Sequence, residues 1–167
     1  SRLDEPVNEF DNPHPDTPYG KSKRAGEMMV RNTTPDHIII RSSWLYHAYS
    51  GRFKDILDAA IAGKKYEARV DQFAATYVEF MIKALEQKAT GTFHIVSKGR
   101  ASRYDFAAKI LELAGYDPGT VLVPKTDPKT AENVVLESLM LEMVGVEMPT
   151  WEEDLEAYMR EVDLLAV

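Results

Sequence analysis

Hydrophobic residues along this chain of 167 residues follow two different spacings. One spacing, of three and four residues, is typical of helices that bury one face. It predicts helices over 18–33, 53–61, 78–87, 102–114, 136–144 and 151–162. The other pattern consists of short apolar runs, which are typical of strands. These runs predict strands at 37–44, 66–70, 92–96 and 121–124.

The run at 37–44 contains three consecutive isoleucines, from Ile38 to Ile40. Such a run indicates a strand buried on both faces, as in a parallel sheet. A helix followed by a buried strand is half of a doubly wound α/β unit. Ligands of these sheets bind at the carboxyl ends of the strands, and that end carries Trp44 here. Trp44 is therefore a candidate substrate contact, and the pattern alone makes it equally a candidate core residue.

The first helix carries a candidate reactive tyrosine. Thr17 suits the N-cap, and Pro18 suits the first helical position because its missing N–H needs no partner there. Tyr19 follows in the first turn, and Lys23 lies four residues on, so both side chains share one helix face. A nearby ammonium and the positive helix N-terminus both favour a phenolate, which could exchange a proton at neutral pH.

The composition indicates which classes of protein and partner this chain does not fit. The chain is 44% hydrophobic and 28% charged, as expected of a globular domain. Its formal charge of −7 argues against nucleic acid or an anionic membrane as the main partner. Without cysteine it has neither disulfides nor a thiolate metal site, and we predict no metal centre. No apolar run reaches the length of a membrane span, so we expect a cytoplasmic protein.

A longer string surrounds the tyrosine. Pro-x-x-x-Tyr-Gly-x-Ser-Lys-x-x-Gly-Glu runs from Pro15 to Glu27 and resembles the active-site segment of the extended short-chain dehydrogenases/reductases. Ile-Arg-Ser-Ser-Trp-Leu-Tyr at 40–46 is similar to a motif of the dTDP-4-dehydrorhamnose reductase family within them. Weaker matches follow at 71–77, 91–107 and 148–151. The resemblance covers nearly the whole chain, but only the C-terminal part of that family's enzyme.

This resemblance implies an α/β fold. We expect the last helix and strand elements of a Rossmann domain, followed by the small mixed α/β substrate-binding domain. Residues 1–50 would be the remnant of the NAD(P)-binding domain with its catalytic helix. Residues 51–167 would be the substrate-binding domain.

The resemblance also implies a reaction, in which a dTDP-4-keto-6-deoxy sugar is reduced at its C4 ketone. NADPH, or alternatively NADH, would supply the hydride, and Tyr19 would protonate the forming alkoxide. Tyr19 and Lys23 would also contact the cofactor, with Lys23 at the nicotinamide ribose. Trp44 would contact the nucleotide-sugar.

The chain departs from the family pattern at several positions. His47 stands where the family usually has glycine, and Ala74 and Ala75 replace a glycine and a proline. A bulky residue such as His47 enters a left-handed turn only at a cost. Near residue 130 the family's Arg-Pro pair is absent, which removes an expected anion contact.

Glycine spacing bears on cofactor binding. The glycines lie at 20, 26, 51, 63, 91, 99, 115, 119 and 145, so no Gly-x-x-Gly-x-x-Gly can be formed. That motif holds the pyrophosphate of a dinucleotide at a helix N-terminus. We therefore expect a missing N-terminal Rossmann half as partner, and weak or no NADPH binding by this chain alone. We also expect a homodimer or larger assembly, since a half-sheet exposes a strand edge.

Two alternatives remain open. An epimerase or dehydratase of the same superfamily acts on other nucleotide-sugars with the same tyrosine and lysine. A non-catalytic regulatory homologue would bind ligands without turnover. The intact pair of Tyr19 and Lys23 weighs against the regulatory alternative.

Overall fold

A computed structural model describes residues 6–43, 45–48, 51–69, 90–126 and 135–166. Within these ranges the helices are α1 (Pro18–Thr33), α2 (Gly51–Ile61), α3 (Arg103–Leu113), α4 (Pro118–Val121), α5 (Leu139–Met143) and α6 (Trp151–Glu161). The strands are β1 (Ile38–Ser42), β2 (Tyr66–Arg69), β3 (Gly91–Ile95) and β4 (Leu122–Lys125). Trp44, the motif at 71–77, the predicted helix at 78–87 and the segment around residue 130 lie outside the described residues.

The strands form parallel pairs, as the alternation of helices and strands predicts. β1 pairs with β3, with Ile38 opposite Gly91 and Ser42 opposite Ile95. β2 pairs with β4, with Tyr66 opposite Leu122. The carboxyl ends of β1 and β3 therefore meet at one edge, where doubly wound sheets bind ligands.

Four buried aromatic rings pack together in one hydrophobic cluster, called here the aromatic cluster, which lies between α2, α3 and α6. The ring of Tyr46 packs 5.0 Å from Phe106, 5.3 Å from Tyr158 and 5.9 Å from Phe53, measured between ring centroids. The spacing of α2 predicts a buried face of Phe53, Ile56, Leu57, Ala60 and Ile61. The first four are buried, whereas Ile61 at the end of the helix is 71% exposed. The prediction for α3 is also confirmed at Ala107, Ile110 and Leu111.

A second cluster lies on the β1–β3 sheet. It contains Phe93, Ile95, Leu141 and Met148, with Ile38 and Ile40 packed against them. The prediction that the isoleucine run is buried on both faces is only partly met. Ile39 is buried, whereas Ile38 and Ile40 are half-buried, because β1 pairs with β3 alone among the described strands. The division of the chain at residue 50 stays a prediction.

Helix starts follow the capping residues of the sequence. The Thr17 hydroxyl accepts a hydrogen bond from the Gly20 N–H, as its predicted capping role requires. Ser102 and Asp105 form a capping box at α3, and Thr150 and Glu153 form another at α6. Each cap of this kind stabilises a helix by about 1 kcal/mol.

One local prediction needs correction, and one possible cost does not arise. The helical spacing at 136–144 yields only the short α5, because Leu136 forms a parallel bridge with Val7 and so belongs to an extended segment. His47 does not adopt the left-handed conformation that a glycine in its place would suggest. Among the described non-glycine residues, only Asp163 has a positive φ, of 58°. The segment therefore accommodates His47 without strain of that kind.

The helix α1 lies at the periphery of the described structure. None of its side chains is buried. Its exposed apolar residues are Tyr19, Met28, Met29 and Val30, of which Tyr19 and Met29 are 72% and 71% exposed. At about 100° per residue, Val30 lies on the same side of α1 as Tyr19, Met29 lies about 80° away from Tyr19, and Met28 lies opposite it. Exposed apolar side chains therefore occur on more than one side of α1 within the described residues.

Candidate active site

Tyr19 and Lys23 lie together on the surface of α1. The Lys23 ammonium nitrogen is 5.5 Å from the centroid of the Tyr19 ring, and both side chains are exposed. An ammonium at this distance over a tyrosine face interacts favourably with the ring. The structure thus brings together the two residues that the sequence pairs, with the phenol accessible to another molecule.

The loop before α1 approaches the helix closely at Gly20. A Cβ added to Gly20 would lie 2.8 Å from the Pro15 Cβ and 3.2 Å from the Thr17 hydroxyl oxygen. Only glycine fits there without a shift of the loop. The glycine that follows the tyrosine therefore sets the path of the chain into the first turn, where Tyr19 lies.

Trp44 lies outside the described residues, but its neighbours are placed. Arg41 and Ser42 end β1, so the segment that carries Trp44 leaves from the carboxyl end of the strand. Leu45 is 45% exposed, while Tyr46 is buried in the aromatic cluster. The position of the segment agrees with the predicted ligand edge, and the contacts of Trp44 stay a prediction.

A polar network that the sequence does not predict lies between α1 and the β1–β3 sheet. Arg41 donates two hydrogen bonds to the Glu27 carboxylate, at 2.8 Å from Nε and 2.7 Å from Nη2. Arg24 donates a third at 3.0 Å. The hydrogen bond from Arg41 is the largest cause that lowers the pKa of Glu27, and burial opposes it. The same bond raises the pKa of Arg41, so this pair is held ionised.

His94 extends the network into the second cluster. Its ring is fully buried, its Nδ1–H donates to the Glu137 carbonyl at 3.0 Å, and its Nε2 accepts from Arg41 Nη1 at 3.4 Å. Burial is the largest cause that lowers the pKa of His94, while the carboxylate of Glu9 acts in the opposite direction. His94 is therefore a strand residue whose two ring nitrogens both have hydrogen-bond partners.

Sequence reasoning named Glu27 and Arg41 within two motifs but assigned neither a role. One motif contains Tyr19 and Lys23 and ends at Glu27, and the other contains Arg41. An acidic and a basic residue in consecutive predicted elements are the signal that could have linked them. The sequence does not show which elements lie next to each other, and here β1 lies beside both α1 and β3.

A cavity of 390 Å³ lies at the carboxyl end of β3. Its wall includes Val96, Leu136 and Met148, with Lys98 and Ser138 among the polar residues. Lys98 is already paired with Glu147 at 2.8 Å. Among the residues that line the cavity in the described ranges, neither Tyr19 nor Lys23 appears.

Metal-binding clusters and membrane-spanning helices are both absent from the described ranges. They contain no group of three or more His, Cys, Asp or Glu side chains arranged to hold a metal ion. None of the helices there is both long enough and apolar enough to cross a membrane.

Comparison with known proteins decides the family. The family described as "RmlD substrate binding domain" matches residues 2–164 of the chain. The chain belongs to this family. The motif resemblance to the dTDP-4-dehydrorhamnose reductases is thereby confirmed, as is the expectation that the match falls on their C-terminal, substrate-binding portion.

Similar relatives support this assignment. The chain is 34% identical over 168 residues to the spore coat polysaccharide biosynthesis protein SpsK of Bacillus subtilis, covering 94% of this chain and 59% of that protein. It is 26% identical to a dTDP-4-dehydrorhamnose reductase of Sinorhizobium fredii, covering 89% of this chain and 57% of the relative. The chain thus spans less than two thirds of these relatives.

Solved structures of the same class superpose well. A dTDP-4-dehydrorhamnose reductase of Clostridium acetobutylicum gives a TM-score of 0.82 at 30% identity, over 95% of this chain and 60% of that one. The dTDP-4-dehydrorhamnose reductase of Bacillus anthracis, solved in complex with NADP, gives a TM-score of 0.81 at 32% identity. The match covers 94% of this chain and 59% of that one. A UDP-glucose 4-epimerase of Thermotoga maritima, at 20% identity and a TM-score of 0.72, shares the fold. The chain has the mixed α/β fold of the extended short-chain dehydrogenases/reductases.

Proposed function

We propose that this chain is the tyrosine-bearing, substrate-binding portion of an NADPH-dependent reductase that acts on a dTDP-4-keto-6-deoxy sugar. The observation that carries the proposal is the placement of Lys23 5.5 Å from the ring of an accessible Tyr19, in a member of this family. A reductase relative bound to NADP supports the choice of cofactor. NADH is the alternative donor.

In the proposed reaction a bound nicotinamide supplies a hydride to the C4 carbonyl carbon. The carbonyl π bond breaks, and its electron pair stays on the oxygen as an alkoxide. The Tyr19 hydroxyl gives its proton to this oxygen, and the resulting phenolate is stabilised by the Lys23 ammonium beside it. Solvent then returns a proton to Tyr19.

The residues present fit one end of the cofactor only. Lys23 is exposed on the same face as Tyr19 and is free to reach a nicotinamide ribose. The glycine-rich turn that would hold the pyrophosphate is not found in the sequence. We therefore propose that dinucleotide binding requires a further cofactor-binding portion, which corresponds to the part of the relatives that this chain does not span.

The exposed side of α1 that carries Tyr19 is the place proposed for that portion. Tyr19, Met29 and Val30 supply exposed apolar surface there. Contact at this face would close a site around Tyr19 and exclude water from the reacting ketone. A homodimer is proposed as a second way of covering exposed surface, and a cytoplasmic location agrees with the lack of cysteine.

A fusion protein tests the function. Residues 1–167 would be joined to the portion of the Bacillus anthracis reductase that the match leaves uncovered. The measurement is consumption of NADPH with a dTDP-4-keto-6-deoxy sugar, together with identification of the product. The expected result is a 4-hydroxy sugar formed with one equivalent of NADPH consumed.

Other outcomes would favour the alternatives. An inverted or dehydrated nucleotide-sugar formed without net NADPH consumption would support an epimerase or dehydratase. Binding of both ligands without turnover would support a regulatory homologue. The chain alone is expected to show weak or no binding in an NADPH fluorescence titration, and micromolar binding would contradict the need for a second portion.

A further inference from the structure

Polar side chains connect α1 to the β1–β3 sheet. The helix buries none of its own side chains, so packing supplies little of its attachment within the described residues. Two side-chain contacts join it to the described strands. One is the pair of hydrogen bonds from Arg41 to Glu27, and the other runs from Arg31 to the Thr92 hydroxyl at 2.7 Å.

The contact between Arg41 and Glu27 fixes direction as well as distance. Both carboxylate oxygens of Glu27 accept from the planar guanidinium, at 2.8 and 2.7 Å. The two side chains are only 16% and 17% exposed, so water competes weakly for them. A bidentate arginine–carboxylate pair restrains the relative orientation of its two planes, which a lysine cannot do.

Arg41 is itself held from the opposite side. Its Nη1 donates to His94 Nε2 at 3.4 Å, and the His94 ring is fixed by its bond to the Glu137 carbonyl. Because His94 is fully buried, its ring has little freedom to follow a displaced guanidinium. The guanidinium therefore forms a rigid connection from β3 through β1 to α1.

The position of Glu27 along α1 links this connection to the reactive pair. Glu27 lies four residues after Lys23 and eight after Tyr19. At about 100° per residue these steps turn by only about 40° and 80° beyond whole turns, so the three side chains lie towards one side of the helix. A rotation of α1 at Glu27 would change the direction in which Tyr19 and Lys23 project.

We infer that Arg41 is a positioning residue for Tyr19: through Glu27 it sets the rotation of α1 about its axis, and so the direction of the reactive phenol. The inference rests on the proposed reductase function. Arg41 does not touch Tyr19 and acts through the helix. A displacement of about 1 Å at a reacting group can lower a rate by about a hundredfold, so a small rotation is enough to matter.

The orientation of α1 can be measured without any activity. The chain contains no cysteine, so Lys21→Cys on α1 and Met143→Cys on α5 give a unique pair of spin-label sites, both exposed. The expected distance distribution is narrow in the parent and broader or shifted in Arg41→Lys. Arg160→Lys is the matched control, since Arg160 forms an exposed ion pair with Glu156 on α6. That control should leave the distribution unchanged.

Kinetics of the fusion protein then test the consequence for Tyr19. Arg41→Lys is expected to lower kcat by about tenfold or more and to change KM for the ketosugar by less than about twofold. If Arg41→Lys fails to fold, Glu27→Gln removes the same bidentate pair and is expected to have the same effects. Circular dichroism reports whether each variant is folded.

Several results would overturn the inference. An unchanged distance distribution in both variants would show that the pair does not orient α1. A broadened distribution with unchanged kcat would show that it orients α1 without positioning Tyr19. An inactive parent fusion would instead count against the proposed function, and the distance measurement would still decide whether Arg41 sets the helix.

Discussion

The Ser97 hydroxyl donates a 2.7 Å hydrogen bond to Asp154 Oδ2, and both residues are buried. Ser97 follows β3, which carries residues of the second cluster. Asp154 lies on α6, whose Leu155 and Tyr158 belong to the aromatic cluster. The Tyr46 hydroxyl approaches the same oxygen at 3.5 Å. One carboxylate thus connects the two clusters of the described structure.

Removal of this carboxylate should destabilise the chain. Asp154→Ala leaves the Ser97 hydroxyl buried without this acceptor, and we expect a loss of about 2 to 4 kcal/mol in the free energy of unfolding. Urea denaturation measures the loss. Glu156→Gln, on the same helix but at an exposed ion pair, is the control and should change stability by less than about 0.5 kcal/mol. Equal effects of the two substitutions would contradict a bridging role for Asp154.

Substitution by alanine should change the free energy of unfolding differently at the two glycines of α1. Gly26→Ala introduces a Cβ with nothing within 4 Å, so we expect stabilisation by about 1 kcal/mol from helix propensity. Gly20→Ala places its Cβ 2.8 Å from the Pro15 Cβ, so the loop before α1 must shift and the gain is lost or reversed. Urea unfolding of both variants checks the difference, and similar stabilisation by both would show that the loop yields freely.

Local signals in the sequence predicted the helix starts and most of one helix face correctly. Thr17, Ser102 and Thr150 cap their helices through bonds to residues three positions on, so each cap is written in neighbouring residues. Spacing alone also predicts four of the five residues on the buried face of α2, and fails at Ile61 where the helix ends. Such features depend on geometry within one or two helical turns, which sequence periodicity reports directly.

Features that depend on distant residues were missed. Arg41 and Glu27 are 14 positions apart, and Arg41 and His94 are 53 apart, so their network exists only once β3 lies beside β1. Leu136 was assigned to a helix because its spacing to Leu139 suits one. Its bridge to Val7, far away in the sequence, keeps it extended instead. Spacing carries no information about such partners.

The free energy of unfolding should decrease as the pH is lowered through a window set by His94. Burial lowers the pKa of this imidazole below its ordinary value of 6.5, so the unfolded chain binds a proton at a pH where the native chain does not. The contribution of neutral His94 to stability is therefore present above pH 6.5 and is lost as the pH falls from there through the native pKa. Glu9 and Arg41 face the ring and act in opposite directions on its charge.

A pair of histidine variants isolates that contribution. The free energy of unfolding is measured at about pH 7.5 and about pH 5.5 for the parent, His94→Gln and His14→Gln. The decrease between the two pH values should be smaller in His94→Gln than in the parent. His14 is exposed, so His14→Gln should keep the parent's decrease. An equal decrease in all three chains would show that His94 is not protonated differently in the native and unfolded states.

The proposed role of Tyr19 leads to the sharpest kinetic expectation. In the fusion protein, Tyr19→Phe removes the hydroxyl that would protonate the alkoxide, and kcat should fall by about 10² to 10⁴-fold. Because Tyr19 is 72% exposed, the free energy of unfolding should stay within about 0.5 kcal/mol of the parent. Tyr116→Phe, at another exposed tyrosine, is the matched control and should leave both quantities unchanged. Near-normal turnover by Tyr19→Phe would mean that another group delivers the proton, and the assignment of this phenol as the acid would have to be abandoned.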